Sequence, residues 1–589
     1  MKEKIDPITF ELIKNSLSSI IDEMALTMNR TAYSPLLRDL FDFATGLCDA
    51  RGNILAEGLV NPAHAGVFPN FITALLKRWE DDIQPGDIFM GNDPYEGASH
   101  IPDLYMVRPV FIEGEIVAFT GAIAHQLDFG GRVPGSNACD NTEIYQEGLR
   151  LPPLKYYEGG KLNNTLHQII GRNVRISHMV LGDLAAQVAA TGVGERKFTA
   201  LVQKYGGWKV FRQYMDELLD YSERLTRAAI KDLPDGAYEF EDFLDDDGFT
   251  KEPVKFHVKI IVQGDEITFD LSQSSPAVKG SINMPLSSTI AMVGSALRLF
   301  LDPSVPSNSG IWRPVTLIAP AGSVVHASFP VGVAGRGCSL GRLFDALTGA
   351  LAKLAPSKVL AASANADFGI CIGGNDLEGN PFVYTDFLVG SWGGRPFEDG
   401  IDAHSPLWLN YSNIPIECVE REYPLRIERY SFIQDSGGVG KYRGGLAIAR
   451  EYRLLAKEAV VQWRQDRAVF GTWGLEGGAS GSNAKGFHVS EGKERALKKE
   501  IFQAKQGDLL RAVLPGAGGF GNPLARSVDK VLEDVVNERV SLQGAEEGYG
   551  VVISPKTMKV DHIKTAKLRE EMTKRKASSF KAGSRGKGV

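Results

Sequence analysis

Apolar residues open the chain at helical spacing: Ile13, Leu17, Ile20, Ile21, Met24 and Met28 recur at intervals of three and four. Asp6 suits an N-cap and Pro7 the first helical position, so the pattern predicts a helix with one core-facing side. From about residue 40 the period shortens to two. "FDFATGLCDARGNILAEG" reads as a hairpin around Ala50-Arg51-Gly52-Asn53, and a helix over about 66–80 follows. Leu104–Ile112 and Ile116–His125 then read as two strands joined at Glu113-Gly114. Residues 177–231 are mostly helical in pattern, with two amphipathic helices broken at Gly192-Val193-Gly194. Alternation returns in "GAYEFEDFLDDDG" and in "VKFHVKIIVQGDEITFDLS", which turns at Gly264-Asp265. Helical spacing covers 286–302 and 342–354, and beyond 360 the chain is rich in glycine and strands. No repeat period is visible.

These elements predict a large, multi-lobed α+β protein. We expect an N-terminal α+β lobe at 1–235, a mixed α/β middle region at 236–360, and a strand- and Gly-rich C-terminal lobe at 361–562. The last 27 residues, 563–589, hold nine Lys/Arg against two Glu and little to bury, so a disordered basic tail is expected there.

Composition narrows the function. The formal net charge is -7, which argues against generic nucleic-acid binding, and the basic tail reads as a solubilising extension. No run approaches the apolar length of a membrane span, and "MKEKIDPITF" has no apolar signal core. The five cysteines include no C-x-x-C and are odd in number, as expected of reduced thiols in a cytoplasmic protein.

The candidate chemistry lies in "ASHIPDLYMVRPVFIEGEIVAFTGAIAHQLDFGG". Pairing the two strands about Glu113-Gly114 sets Asp103 opposite position 124, beside His125, with His100 just before it. Two imidazoles and a carboxylate brought together suit a catalytic metal, because they leave coordination positions for water or substrate. Other motifs are weaker. Gly516, Gly518 and Gly521 form a G-x-G-x-x-G, but Pro515 and Pro523 bracket it and no helix can start there to meet a phosphate. "SGGVGKYRGG" lacks the first glycine and the hydroxyl residue of a P-loop. "DDDG" at 245–248 lacks the spacing of an EF-hand and reads as an acidic turn. Cys338 has no histidine tied to it by position. Arg336 and Arg342 around it are candidates for a substrate carboxylate or phosphate, with His64 in "NPAHAGVFPN" beside them. Glu143 and Glu147 are candidates for acid–base work near a metal cleft.

"GNDPYEGASHIPDLYMVRPVF" and "AHQLDFGGRVPGSNACDNTEIYQEGLRLPP" closely resemble the hydantoinase B/oxoprolinase family. The resemblance runs from "DPITFELIKNSL" to "LPGAGGFGNP" and takes in "DSGGVGKYRGGLAIAREYRLL". It implies a divalent-metal site, zinc or manganese, with His100, Asp103 and His125 at the ligand positions and Asp42 as a further ligand. Asp128 would lie close by as a base. Many members carry a second histidine where this chain has Gln126. The resemblance further implies an A-type partner subunit that holds ATP and Mg and phosphorylates a carbonyl or amide oxygen. The expected activity is ATP-dependent opening of a cyclic amide such as a hydantoin, lactam or oxoproline; the alternative is a ketone carboxylase of the acetone or acetophenone type.

Overall fold

A computed structural model describes residues 5–58, 61–64, 66–79 and 81–583, with side chains to residue 575. At its centre is a seven-stranded sheet in the order β2-β1-β5-β4-β3-β6-β7. The strands are β1 (Phe43–Asp49), β2 (Ile54–Glu57), β3 (Ile88–Gly91), β4 (Asp103–Ile112), β5 (Glu115–His125), β6 (Leu154–Glu158) and β7 (Lys161–Leu162). Every pairing in it is antiparallel.

Helices cover both faces. The helix Pro7–Thr31, capped by Asp6 as its pattern predicts, packs with Ser177–Lys204 on one side. Phe68–Trp79 lies on the other, where Phe68 and Phe71 meet the ring of Tyr105 in an apolar cluster that also holds Phe119 and Ile123. Gly46 on β1 pairs with Gly121 on β5, and the ring of Phe68 occupies the space both leave. A Cβ at Gly46 would come within 2.5 Å of that ring and one at Gly121 within 2.3 Å, so the glycines are required by the close approach.

Ser177–Lys204 is one continuous helix, against the expected break at Gly192-Val193-Gly194. These glycines cost helix propensity but allow contact. A Cβ at Gly194 would sit 2.5 Å from Met24 Sδ and 2.8 Å from Thr120 Cγ2. The strands Gly236–Leu244, Val254–Gln263 and Glu266–Asp270 form an antiparallel run near the expected bounds, joined in parallel by Val315–Ile318. The two middle helices run Leu286–Leu297 and Gly337–Leu354, the second starting five residues before the expected position. A four-stranded and a five-stranded sheet form most of the C-terminal part, followed by a two-stranded ribbon of Ile553–Ser554 and Lys559–Val560.

The cores do not follow the expected lobe boundaries. One apolar cluster joins Phe68 and Tyr105 to Phe256, Met292, Leu347 and Trp408; another joins Leu104 and Phe129 to Ile370, Tyr384 and Trp463. The three regions therefore share interiors around the central sheet. The segment expected to be a disordered tail is helical over His562–Gly583. Arg569 anchors it through bonds to the carbonyls of Tyr549 and Arg526 at 3.0 and 2.9 Å, and Lys574 pairs with Glu570 one turn away. Residues 584–589 lie outside the described residues. The glycine motif at 516–521 forms close-packed backbone turns, with a Cβ at Gly518 only 2.0 Å from the carbonyl oxygen of Trp473.

Candidate metal centre

Three adjacent strands deliver the site at one end of the sheet. Asp103 begins β4, His125 ends β5, and Asp42 immediately precedes β1. Asp103 lies directly opposite His125, one position from the simple hairpin count, because a bulge between Val110 and Phe111 shifts the register. The amide of His125 donates to the carbonyl of Asp42 at 3.1 Å, which ties the third strand to the other two. His100 sits in the turn before β4, where the Asp103 amide donates to its carbonyl at 3.1 Å. His64 comes from the short 3-10 turn Pro62–His64 after β2.

All five side chains are buried and line one cavity of about 40 Å³. Ligand atoms of His100, Asp103 and His125 lie within 4.8 Å of one another. His100 Nδ1 is 2.8 Å from Asp103 Oδ2 yet out of line for a hydrogen bond, and His125 Nδ1 is 3.1 Å from Asp103 Oδ1. His64 Nε2 meets Asp42 Oδ1 at 3.2 Å, while its Nδ1 lies 3.7 Å from Asp103 Oδ2. His64 Nδ1 and His100 Nδ1 are buried without a hydrogen-bond partner among the described residues. The orphaned His100 nitrogen, set beside the Asp103 carboxylate and the His125 ring, is what a divalent cation satisfies, so the donor set fits one, while His64 Nδ1 stays free outside that set.

Burial alone would raise Asp103, but its contact with His100 and the charges of His64 and Arg336 overcome it and hold the carboxyl well below its usual range. Burial and Arg336 push His100 well below the ordinary imidazole value, against the pull of Asp103. At His64 burial acts downward, but Asp103 and Asp42 outweigh it and raise the ring above its usual value. Asn61 donates to Asp42 Oδ1 at 2.8 Å and meets the Tyr411 hydroxyl at 3.2 Å. Asn137 reaches His125 Nε2 at 3.4 Å. Arg336 donates to Asp103, and its Nε reaches Ser288 Oγ at 3.2 Å. Arg464, held by Asp367 at 2.7 Å, completes a cationic wall.

Several candidate residues sit elsewhere. Asp128 is buried, but Gly135 N, Arg175 N and the Arg175 guanidinium occupy it at 3.0, 2.8 and 2.9 Å, and it does not line the cavity. Its carboxylate is committed to holding the 128–135 turn. Glu143 is exposed. Glu147 is buried beneath Val333 and Ala334, whose amides it accepts at 2.7 and 2.9 Å. Arg342 lies on a different face of the helix that begins after Arg336. It is fully buried, donates to Asp466 and lies 3.4 and 3.6 Å from Asp242 and Asp345. None of these three lines the cavity. Gln126 bonds Gln187 at 3.3 Å, and Cys338 is buried, held protonated by its neighbour Cys139 and by burial. The "DDDG" carboxylates hold backbone: Asp245 accepts the amides of Ala468, Val469 and Phe470 at 2.7, 3.0 and 2.9 Å. Among the described residues, no helix is long and apolar enough to cross a membrane.

Sequence reasoning missed Asn61, Asn137, Asp367, Tyr411 and Arg464. Asn61 stands three residues before His64 and Asn137 lies in the stretch after β5. Tyr411 and Arg464 reach the site from the C-terminal part, where no local pattern marks them.

The hydantoinase B/oxoprolinase profile matches residues 6–523. The chain is 35% identical over 588 residues to a protein of Pseudomonas sp. (strain NS671) named as the B-type component of a D-/L-hydantoinase, covering 96% of this chain and 98% of that one. It is 28% identical to the 5-oxoprolinase of Saccharomyces cerevisiae, covering 88% of this chain and 42% of the relative. The crystal structure of the ATP-dependent caprolactamase from Pseudomonas jessenii superposes with a TM-score of 0.89 at 30% identity, over 96% of this chain and 100% of that one. An acetone carboxylase structure in the nucleotide-free state shares the fold, with a TM-score of 0.89 at 21% identity, over 99% of this chain and 86% of that one. With the profile spanning nearly the whole chain, the protein belongs to the hydantoinase B/oxoprolinase family.

Proposed function

We propose that this chain is the metal-containing B-type subunit of an ATP-dependent amidohydrolase that opens a cyclic amide. The convergence of His100, Asp103 and His125 within 4.8 Å, in a buried cavity that Asp42 and His64 also line, carries the reading. Relatives named as single subunits of a hydantoinase and of a caprolactamase support a partner subunit here. That partner, of A-type, would hold ATP and Mg and activate the amide oxygen by phosphorylation.

His100, Asp103 and His125 would hold the ion, with Asp42 as a further donor; two imidazoles and carboxylate oxygen suit zinc or manganese. A divalent cation held there would supply polarisation of a water and lower its pKa toward neutrality. His64 would take a proton at Nδ1, since its Nε2 is engaged with Asp42 Oδ1 at 3.2 Å. Asp42 then steadies the imidazolium. Arg336 and Arg464 line the same cavity and offer guanidinium donors to the phosphate of an activated substrate. Trp408, Leu409 and Phe387 close the apolar side and exclude bulk water. Asp128, Glu143 and Glu147 keep positions outside this chamber, so the proton-transfer role moves to His64.

The test is reconstitution with the A-type partner and an assay of ADP release over lactams, hydantoins and aryl ketones, with and without bicarbonate. Ring opening of a cyclic amide independent of bicarbonate is expected. Bicarbonate-dependent turnover of a ketone would instead assign the carboxylase activity and overturn this reading.

A further inference from the structure

A second cavity stands back to back with the metal site. It encloses about 140 Å³, against about 40 Å³ at the metal site. Two short segments form the shared wall. Pro62 and Gly66 face the second cavity, while Ala63 and His64 between them face the metal site. Leu407 faces the second cavity, while the next two residues, Trp408 and Leu409, face the metal site. The body of the second cavity is apolar, with Ile311, Trp312 and Leu407 on its walls.

Its two charged groups differ in what they have left to bind. Glu57 is satisfied: it accepts Gly66 N at 2.8 Å and the Ser307 hydroxyl at 2.8 Å, and burial pushes its carboxyl up toward the neutral form. Arg298 has donors to spare. Its Nη1 donates to the Val305 carbonyl at 2.8 Å, and Glu57 across the cavity attracts it without an ion pair forming between them. A mostly buried guanidinium has five donors in a planar fork, and a carboxylate matches that fork with two parallel bonds. An apolar cavity of about 150 Å³ accommodates a benzene-sized ring.

We propose that this cavity is a binding site for a small, ring-bearing monocarboxylate, its carboxylate on Arg298 and its ring against Trp312. The site is distinct from the metal centre, and its assignment does not depend on the reaction proposed above. Because the ligand would press on the backs of the segments that carry His64 and Trp408, its occupancy bears on the geometry of the metal chamber.

Benzoate is the probe. It would be titrated into the full-length chain by calorimetry and by tryptophan fluorescence, with Trp312 on the cavity wall as a reporter. Saturable binding of one equivalent is expected, with benzamide, the same ring without the charge, weaker by roughly tenfold or more. Arg298→Met is expected to weaken benzoate by a similar factor, and Ser295→Leu, which fills the wall, to abolish it. Glu57→Gln, which removes the opposing carboxylate, leaves binding intact or tighter. His100→Ala keeps it. Equal binding of benzoate and benzamide, benzoate binding indifferent to both Arg298→Met and Ser295→Leu, loss of binding in His100→Ala, or no saturable binding by the unsubstituted chain would each overturn the proposal.

Discussion

Glu147 lies fully buried under the loop that leads to Arg336. Its Oε1 accepts the amides of Val333 and Ala334 at 2.7 and 2.9 Å, and its Oε2 has no partner among the described residues. Burial drives its carboxyl from 4.5 up to about 8, against the two amides and the charge of Arg336. The folded chain therefore binds this proton more tightly than the unfolded chain. Such a group contributes stability that is complete below its unfolded value and is lost as pH rises through its folded value. The interval from 4.5 to about 8 corresponds to about 5 kcal/mol across the whole window, comparable to the net stability of many domains. Glu147→Gln keeps the accepting oxygen and cannot ionise. Denaturant unfolding of both chains at about pH 5 and about pH 8.5 isolates the residue, since every other titrating group is common to the two. The unsubstituted chain should lose several kcal/mol relative to the variant between those values. Equal pH dependence in both chains would refute a proton held at Glu147.

Other substitutions test the architecture. Gly121→Ala places a methyl 2.3 Å from the Phe68 ring and should destabilise by about 1–3 kcal/mol in thermal or denaturant unfolding. Arg342→Met leaves Asp242, Asp345 and Asp466 with less compensating charge, for an expected loss of about 3–5 kcal/mol by the same measurement. Asp128→Asn weakens the tie to Arg175; it should lower the melting temperature while elemental analysis finds the metal content of the folded chain unchanged.

The sequence was most informative where one element decides the outcome. The Asp6-Pro7 start and the apolar stripe through Met28 carry the first helix by themselves. The period-two run around Glu113-Gly114 carries the hairpin that brings Asp103 to His125. The one-residue register shift was hidden, because nothing in "YMVRPVFIEG" distinguishes a bulged pair from a regular one. The glycines at 192–194 read as a break because local propensity favours one. Contact with Met24 and Thr120, set by the tertiary fold, decides otherwise. The same limit applies to the site. His100, Asp103 and His125 are close in the chain, so their convergence follows from a hairpin. Tyr411 and Arg464 arrive from hundreds of residues away, and Arg342, six residues past Arg336 and inside the helix that Arg336 caps, turns toward Asp466 and away from the cavity.

The basic C-terminal segment makes the opposite case. Its composition lacks an apolar core, but the helix is held from outside, by Arg569 on the Tyr549 and Arg526 carbonyls. Composition reports what a segment can bury, and it is silent on what neighbouring backbone offers it.

The central claim is that His100, Asp103 and His125 hold a divalent cation. Elemental analysis of the purified full-length chain, alongside His100→Ala and His125→Ala variants that retain its circular dichroism, tests it most directly. One equivalent of zinc or manganese is expected in the unsubstituted chain, with its loss in both variants. A metal-free chain fully active with its partner, or undiminished metal in both variants, would contradict the claim.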